Sequence, residues 1–381
     1  MPIGLKFQRE HRQLGYHIKY LYYFFARRDV LQKRISYGGM NPNDIIYLIK
    51  PDFQNGVEGL LSLLYKQIQE YCKGGILGMI GGIAAGIVVF NAEKERLENN
   101  ISRLKKQVKD VYIFDNSNVS DGDYDGVTYL SENKNCGIAY ALNRIMEQAK
   151  ADGYKWLITM DQDSLIPDGM VHGFEESIRT HENIGIICPQ VIDRRRTYLQ
   201  AEDNEAEEYV NFCITSASCT SIEAWENCGK FDEWMFIDLV DNDFCKRITL
   251  SGYKILKLNK WILDQEFGKI TPKSEWKQKF WVGVSKILHN QNFVKFSYKK
   301  SVSPLRVYYT NRNIIYVNKK LNKYGSIGYE NYNCKGYLGF IISFMIPSIL
   351  RAQDKKSVLK ATIQGVCDGK RSKPGEWSAE I

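Results

Sequence analysis

The stretch Lys155-Trp-Leu-Ile-Thr-Met-Asp-Gln-Asp-Ser164 decides the fold. Its apolar residues 156–160 predict a short buried strand. Two carboxylates spaced i and i+2, Asp161 and Asp163, follow at the end of that strand. Carboxylate oxygens suit Mg²⁺ or Mn²⁺, which commonly share their coordination with substrate phosphates. Because Asp is also frequent in solvated turns, the Asp-x-Asp pair is a weak signal by itself, and its surroundings must decide.

Strands and helices alternate around this stretch. The run from Ile83 to Phe90 lacks polar alternation, which is typical of a parallel strand buried on both faces. Further strands are predicted at 111–114, 127–130 and 184–188, and helices at 93–108, 137–150 and 170–180. This βαβ succession predicts an α/β fold with a doubly wound sheet. Ligands of such sheets bind beyond the carboxyl ends of the strands.

The whole chain divides into three parts by composition. Residues 1–78 predict a small α/β appendage of unknown role, and 79–270 contain the alternating pattern. Residues 271–381 are basic and aromatic and predict a helical region that faces a membrane or an acceptor. The acidic stretch 194–209 predicts a surface loop.

The cysteine content and two short segments indicate the cellular compartment. The chain of 381 residues has nine cysteines without a CxxC pair, which favours reduced thiols in the cytoplasm over a zinc site or a disulfide framework. Residues 1–12 are polar, so no secretory signal is expected. The apolar segment 337–350 is shorter than a span of about 20 residues and is flanked by Lys335 and Arg351. It predicts a helix lying in the headgroup region of a membrane, with a buried core helix as the alternative.

Five further motifs accompany the Asp-x-Asp pair in a fixed order: Ile87-Val-Val-Phe-Asn91, Asp115-Asn-Ser117, Asn135-Cys-Gly-Ile-Ala-Tyr-Ala-Leu-Asn143, the acidic segment 231–247, and Ser303-Pro-Leu-Arg-Val-Tyr-Tyr-Thr-Asn-Arg-Asn313. The set, over about residues 83–320, resembles family 2 glycosyltransferases of the GT-A fold. It is most similar to the rhamnosyltransferase-like branch that builds bacterial surface polysaccharides.

The resemblance implies a mixed sheet of the nucleotide-diphospho-sugar transferase type and Mn²⁺ or Mg²⁺ as cofactor. It implies that Asp161 and Asp163 hold the ion and that Asp241 is the general base, whereas Asp238 and Asp243 are expected to be structural. Arg306 and Arg312 are expected either to clamp the diphosphate or to touch lipid headgroups. The donor would be contacted by Phe90, Asn91, Asp115, Asn116, Asn135, Gly137, Asn143, Asp161 and Gln162.

One position departs from the family pattern. Many relatives carry a histidine after the acidic motif as a further metal ligand, and Gln265 stands there in this chain. Either Asp264, Gln265 or Glu266 replaces it as an oxygen ligand, or the ion is held more weakly.

The expected activity is an inverting, metal-dependent transfer of L-rhamnose from dTDP-L-rhamnose to a lipid-linked saccharide at the inner face of the cell membrane. The alternatives are a UDP-sugar donor, for galactofuranosyl or hexosyl transfer, and a degenerate, non-catalytic binding module. The sequence does not indicate an oligomeric state. Nucleic acid is not an expected partner, because the chain lacks a basic and aromatic motif that reads bases.

Overall fold

A computed structural model describes residues 82–118, 124–193, 207–265, 270–325 and 327–379, together with Arg195 and Gly268. The expected appendage at 1–78 lies outside these residues. Eight strands form one sheet: β1 Ile83–Val89, β2 Val111–Asp115, β3 Thr128–Ser131, β4 Trp156–Asp161, β5 Ile184–Ile192, β6 Glu207–Val210, β7 Ser218–Ser221 and β8 Lys254–Asp264. Strands β9 Ile270–Pro272 and β10 Tyr298–Lys300 pair separately.

The strand order of the large sheet is β3-β2-β1-β4-β7-β5-β8-β6. Strands β3, β2, β1 and β4 are parallel neighbours, whereas β7 and β6 run antiparallel to the strands beside them. The predicted α/β class with a mixed, doubly wound sheet is therefore confirmed. In the register, Val89 pairs with Asp115 and Val88 pairs with Asp161, so the carboxyl ends of β2 and β4 flank the end of β1.

Helices α1 Lys94–Lys105 and α3 Met170–Thr180 pack on one face of the sheet, and α2 Ile138–Ala151, α4 Ile222–Asn227 and α5 Val240–Leu250 on the other. The helices that follow are α6 Glu275–Ile287, α7 Pro304–Lys320, α8 Gly336–Phe340, α9 Ile346–Arg351 and α10 Lys355–Arg371. Alternate residues of β1 point into two different cores. Ala84 and Val88 pack with α2, α4 and α5, whereas Ile87 packs with α1 and α3. This two-sided burial explains the unbroken apolar run of β1.

Helices α7 and α10 of the C-terminal region pack closely together. A Cβ added at Gly369 would lie 2.7 Å from the carbonyl oxygen of Arg312 in α7, so the close approach requires glycine there. Residues 336–351 form a continuous helical run from α8 to α9, with a π-helical turn at Ile341–Met345. Within the described ranges, no helix combines the length and the apolar character needed to span a membrane.

A buried charge network joins α7 to α5. The Lys320 ammonium donates to Asp232 Oδ2 at 2.6 Å and to Asp243 Oδ2 at 3.0 Å. Arg247 Nη2 lies 2.6 Å from the same Asp243 oxygen, and Asp243 and Arg247 are fully buried. Burial alone would raise the pKa of Asp243, but the Arg247 and Lys320 charges hold that pKa below its usual value. The network ties the acidic segment to the C-terminal region and agrees with a structural role for Asp243.

Replacing Lys320 with Met removes the cation that the carboxylates of Asp232 and Asp243 share. Because a buried charge that loses its partner is costly, we expect the free energy of unfolding in urea to fall by about 3 kcal/mol. The control Lys323→Met, at an exposed position, should change it by less than about 0.5 kcal/mol. Equal stability of the two variants would contradict this role for Lys320.

Candidate active site

Polar side chains gather where β2, β1 and β4 end. Neighbouring strands lie about 4.8 Å apart, so the backbones of Asp115 and Asp161, one strand on either side of β1, are separated by roughly 10 Å. Both carboxylates follow apolar strand residues, and the sheet register alone brings them to one edge. This is the edge at which α/β sheets bind ligands.

The Asp115 carboxylate is held in a fixed orientation at the end of β2. Its Oδ1 accepts a hydrogen bond from the Ser117 N–H at 2.8 Å, and its Oδ2 accepts one from the Tyr129 hydroxyl at 2.5 Å. Asp115 is 7% exposed. Each oxygen keeps further acceptor capacity, so the carboxylate can still receive an N–H from a ligand. Sequence reasoning missed Tyr129, which sits on β3 without a motif of its own.

Phe90, Asn91 and Gln162 lie at the junction of β1 and β4. The Gln162 side chain accepts from the Phe90 N–H at 2.7 Å and donates to the Phe90 carbonyl at 3.3 Å, which fixes the two strand ends to each other. The Asn91 N–H donates to Ser117 Oγ at 2.7 Å. The Phe90 ring remains 46% exposed at this edge, where a planar ligand group could contact it.

Asn116, Asn135 and Gly137 form the link from β2 to helix α2. Asn116 accepts from the Cys136 N–H and donates to the Gly137 carbonyl, both at 3.1 Å, and Asn135 Oδ1 accepts from the Gly137 N–H at 3.0 Å. At Gly137 the φ angle is +89°, and an added Cβ would lie 2.7 Å from the Phe236 carbonyl oxygen. Only glycine fits, so this link lets the turn at 236 approach the strand ends.

Asn143 is buried and hydrogen-bonded inside the domain, and its contact with the donor stays a prediction. It is 2% exposed, and its amide nitrogen donates to the Phe231 carbonyl and to Glu233. Its oxygen accepts from the Trp225 indole and from the Phe231 N–H, both at 3.0 Å. These four hydrogen bonds use the capacity of the amide, so Asn143 fastens the acidic segment to α2.

Asp161 is the last residue of β4, and Asp163 follows it two residues later. Burial and, to a smaller extent, the nearby Asp163 carboxylate together raise the pKa of Asp161 to about 6. Asp161 Oδ2 accepts a hydrogen bond from Gln265 Nε2 at 2.5 Å. Arg96 donates to the Asp163 carbonyl at 2.8 Å and supports the backbone of this turn.

Gln265 comes to the position where the family pattern places a histidine. It is 8% exposed, and its carbonyl oxygen has no hydrogen-bond partner in the described part of the chain. Asp264, the preceding residue, is exposed, and Glu266 lies outside the described residues. Among the residues that the structure describes, no three His, Cys, Asp or Glu side chains group closely enough to hold a metal ion by themselves.

The turn before helix α5 holds an unusual backbone. Phe236, Asp238 and Leu239 have φ angles of 62°, 66° and 65°, which cost free energy in residues other than glycine. Asn313 Nδ2 lies 2.8–2.9 Å from the carbonyl oxygens of residues 235, 237 and 238. Arg312 donates to the carbonyls of residues 234 and 235. Arg312 is therefore committed to this turn.

Asp241 lies in the first turn of α5, directly after this backbone. Burial raises the pKa of its carboxyl group to about 7, and the hydrogen bond from the Asn242 N–H at 2.9 Å opposes that rise. The Asp238 carboxylate and the Cys213 sulfur raise the pKa as well. A carboxyl group with a pKa near neutrality can accept a proton in the physiological range.

Arg306 interacts with Asp238 before α5 and with Asp161 at the end of β4. It forms an ion pair with Asp238 at 2.5 Å, while its charge also lowers the pKa of Asp161. Its side chain is 59% exposed. Gly137 also contacts Phe236. This contact and the interactions of Arg306 hold the segment 236–241 near the edge occupied by Asp115 and Asp161.

A family model, Glycosyl transferase family 2, matches residues 85–231. The chain contains a family 2 glycosyltransferase domain. The match includes the strand ends with Asp115, Asp161 and Asp163 and ends before Asp241.

This glycosyltransferase domain has relatives of known name and structure. The chain is 28% identical over 194 residues to the dTDP-rhamnosyl transferase RfbF of Shigella flexneri. The aligned region covers 46% of this chain and 65% of that protein. A crystal structure of GalNAc-T7 with UDP, GalNAc and Mn²⁺ aligns with a TM-score of 0.42 at 12% identity, over 70% of this chain and 57% of that one. The structure of S. aureus TarS 1-349 aligns with a TM-score of 0.41 at 11% identity, over 76% and 89%.

The Asn143→Ala variant tests the structural role of this amide in the glycosyltransferase domain. Because buried partners of Asn143 would lose their hydrogen bonds, we expect the free energy of unfolding in urea to fall by roughly 2–4 kcal/mol. The control Asn227→Ala removes an exposed amide and should cost less than about 1 kcal/mol. A stable Asn143→Ala protein that has lost nucleotide binding would contradict the assignment and support the predicted donor contact.

Proposed function

We propose that the chain is an inverting, metal-dependent glycosyltransferase. It moves L-rhamnose from dTDP-L-rhamnose to a lipid-linked saccharide in cell-surface polysaccharide synthesis. The proposal is supported by the strand register that ends β2 and β4 with Asp115 and Asp161 at one edge of the sheet, and by the ion pair of Arg306 with Asp238 in the segment that leads to Asp241. Each carboxylate suits a different part of a nucleotide sugar.

Asp115 is assigned to the nucleotide base. A pyrimidine presents one N–H donor between two carbonyls, and a carboxylate matches that donor. The Tyr129 and Ser117 hydrogen bonds keep the carboxylate in place before a donor arrives. The exposed ring of Phe90 lies at the same edge and could pack against the base.

Asp161 and Asp163 are assigned to Mn²⁺ or Mg²⁺. The Asp163 carboxylate raises the pKa of Asp161, an effect that a cation would relieve, and the oxygen of Gln265, which has no hydrogen-bond partner among the described residues, adds a hard ligand next to Asp161. These donors fit the ion if the diphosphate completes its coordination. The bound ion would neutralise charge that develops on the leaving diphosphate. Arg306, whose exposed guanidinium acts electrostatically on Asp161, is assigned to donate to the same diphosphate.

Asp241 is assigned the role of general base. It takes the proton of an acceptor hydroxyl while that oxygen forms a bond to the anomeric carbon and the bond from that carbon to the diphosphate breaks. Attack from the face opposite the diphosphate inverts the configuration in one displacement. Its raised pKa matches the task, because a base works best with a pKa near the operating pH.

The donor assignment follows from the similarity to the Shigella flexneri relative, a dTDP-rhamnosyl transferase. UDP-galactofuranose and UDP-hexoses would place the same base edge and the same diphosphate at these residues. A panel of nucleotide sugars with Mn²⁺, compared by thermal shift, separates these donors because a bound ligand stabilises the folded chain.

The Asp241→Asn variant tests the base. We expect transfer to fall by at least about 100-fold, because an amide cannot accept the proton, while calorimetry shows unchanged affinity for dTDP with Mn²⁺. In the wild type, kcat/KM should rise as the pH increases through about 7, because only the deprotonated carboxylate acts. The control Asp125→Asn, at an exposed carboxylate, should retain activity. An equal loss of dTDP affinity in Asp241→Asn would show that this residue binds the donor instead.

We also propose that the protein acts at the inner face of the cell membrane. Four apolar side chains, spaced four residues apart along the helical run 336–351, are exposed: Leu338 71%, Ile342 61%, Ile346 46% and Leu350 67%. The opposite side of this run carries Phe340, which is fully buried in the core. Exposed lysines lie at both ends, at 335, 355 and 356. An apolar stripe with basic ends fits the headgroup region of anionic lipid.

The combined variant Leu338→Ser, Ile342→Ser and Leu350→Ser tests the membrane surface. We expect sedimentation with phosphatidylglycerol vesicles to weaken at least about tenfold, because each side chain loses apolar burial in the bilayer. The control Tyr209→Ser, an exposed aromatic of the edge strand β6, should bind vesicles as the wild type does. Unchanged sedimentation of the combined variant would argue against this surface.

A further inference from the structure

Three cysteine sulfurs meet next to Asp241. Cys213 lies in the segment before β7, and its Sγ is 3.8 Å from the Sγ of Cys245 in α5. The Cys188 thiol of β5 also donates a hydrogen bond to Cys213. The Cys213 sulfur acts electrostatically on the Asp241 carboxylate, and Cys245 follows Asp241 by one helical turn. The expected reaction at Asp241 does not use these thiols.

Cys213 has the surroundings of a reactive thiol. The Cys188 thiol and the Ser218 hydroxyl, at 3.6 Å, direct hydrogen bonds to its sulfur, and the Cys245 sulfur lies 3.8 Å from it. These donors stabilise the thiolate and hold the pKa of Cys213 well below its usual value. Cys213 is half-buried, whereas Cys188 and Cys245 are buried, so a small oxidant reaches Cys213 first.

We propose that Cys213 and Cys245 form a peroxide-sensitive thiol pair that closes to a disulfide and displaces Asp241. The pair is a modification site, and its effect on transfer rests on the proposed function. The choice of Cys245 as the second thiol follows from the sulfur distance and from its hydrogen bond to the Cys213 carbonyl at 3.5 Å.

The chemistry needs hydrogen peroxide as oxidant and proceeds in two steps. The Cys213 thiolate attacks one peroxide oxygen, so an S–O bond forms, the O–O bond breaks and hydroxide leaves, which gives a sulfenic acid. The Cys245 sulfur then attacks the sulfenic sulfur, so an S–S bond forms and the S–O bond breaks. The departing hydroxide takes the Cys245 proton and becomes water. The peroxide gains two electrons, and each sulfur loses one.

Closing the bond changes the packing of α5 against the segment before β7. A disulfide has an S–S length of about 2.05 Å, so the two sulfurs must approach by roughly 1.7 Å. Residues four apart on a helix share one face, so a shift of Cys245 is transmitted to Asp241. A displacement of about 1 Å at a catalytic group can cost about 100-fold in rate.

The test treats the full chain with a few equivalents of hydrogen peroxide and maps disulfides by mass spectrometry of non-reduced peptides. We expect a Cys213–Cys245 link, a loss of transfer of about 100-fold, and recovery with dithiothreitol. Cys245→Ser and Cys213→Ser, each checked for folding by circular dichroism, should give no link and should not show the reversible loss. The control Cys367→Ser removes an exposed cysteine outside this cluster and should respond as the wild type does.

A link from Cys213 to Cys188, no link at all, or a Cys213–Cys245 link that leaves transfer unchanged would each overturn the proposal. The peptide map detects the disulfide whether or not the protein transfers sugar. An untreated chain that transfers no sugar would therefore count against the proposed function, while the map still decides whether the thiol pair exists.

Discussion

The parallel pairing of β1 with β2 on one side and β4 on the other is the constraint on which the candidate site depends. It fixes Asp115 beside Val89 and Asp161 beside Val88, so two residues 46 positions apart in sequence end at one edge. The pairing is stable because β1 buries apolar side chains in both cores. Loop flexibility cannot separate these carboxylates, since each ends a strand of the sheet.

The part of the candidate site around Asp241 depends on a strained backbone at residues 236–239. The left-handed residues 236, 238 and 239 aim the start of α5 at the strand ends, and side chains of α7 hold them through Asn313 and Arg312. The Lys320 network fastens the same helix to α5. The C-terminal region therefore supports the turn before Asp241, because without α7 this turn would lose the hydrogen bonds that stabilise it.

Sequence patterns predicted the parallel half of the sheet well, because buried parallel strands are unbroken apolar runs that end in polar turns. They missed β7, whose residues Ser218-Cys-Thr-Ser221 are small and polar yet fully buried. They also assigned the acidic stretch 194–209 to a loop, although Glu207–Val210 forms the edge strand β6, where Glu208 pairs with Lys257 across to β8. At the site, motif spacing could not separate Asn143, whose hydrogen bonds are all internal, from residues whose side chains face the strand ends. Only tertiary contacts reveal that difference.

The central claim is that these strand ends form one pyrimidine-diphosphate site. Calorimetric titration of dTDP with Mn²⁺ into the wild type and into Asp115→Asn tests it most directly, with thermal unfolding to confirm that the variant is folded. The account predicts binding to the wild type and at least about tenfold weaker binding to the variant, because the amide removes an acceptor for the base N–H and a charged hydrogen bond is worth about 1.5–3 kcal/mol. Equal affinity of the two proteins, or no binding to either, would contradict it.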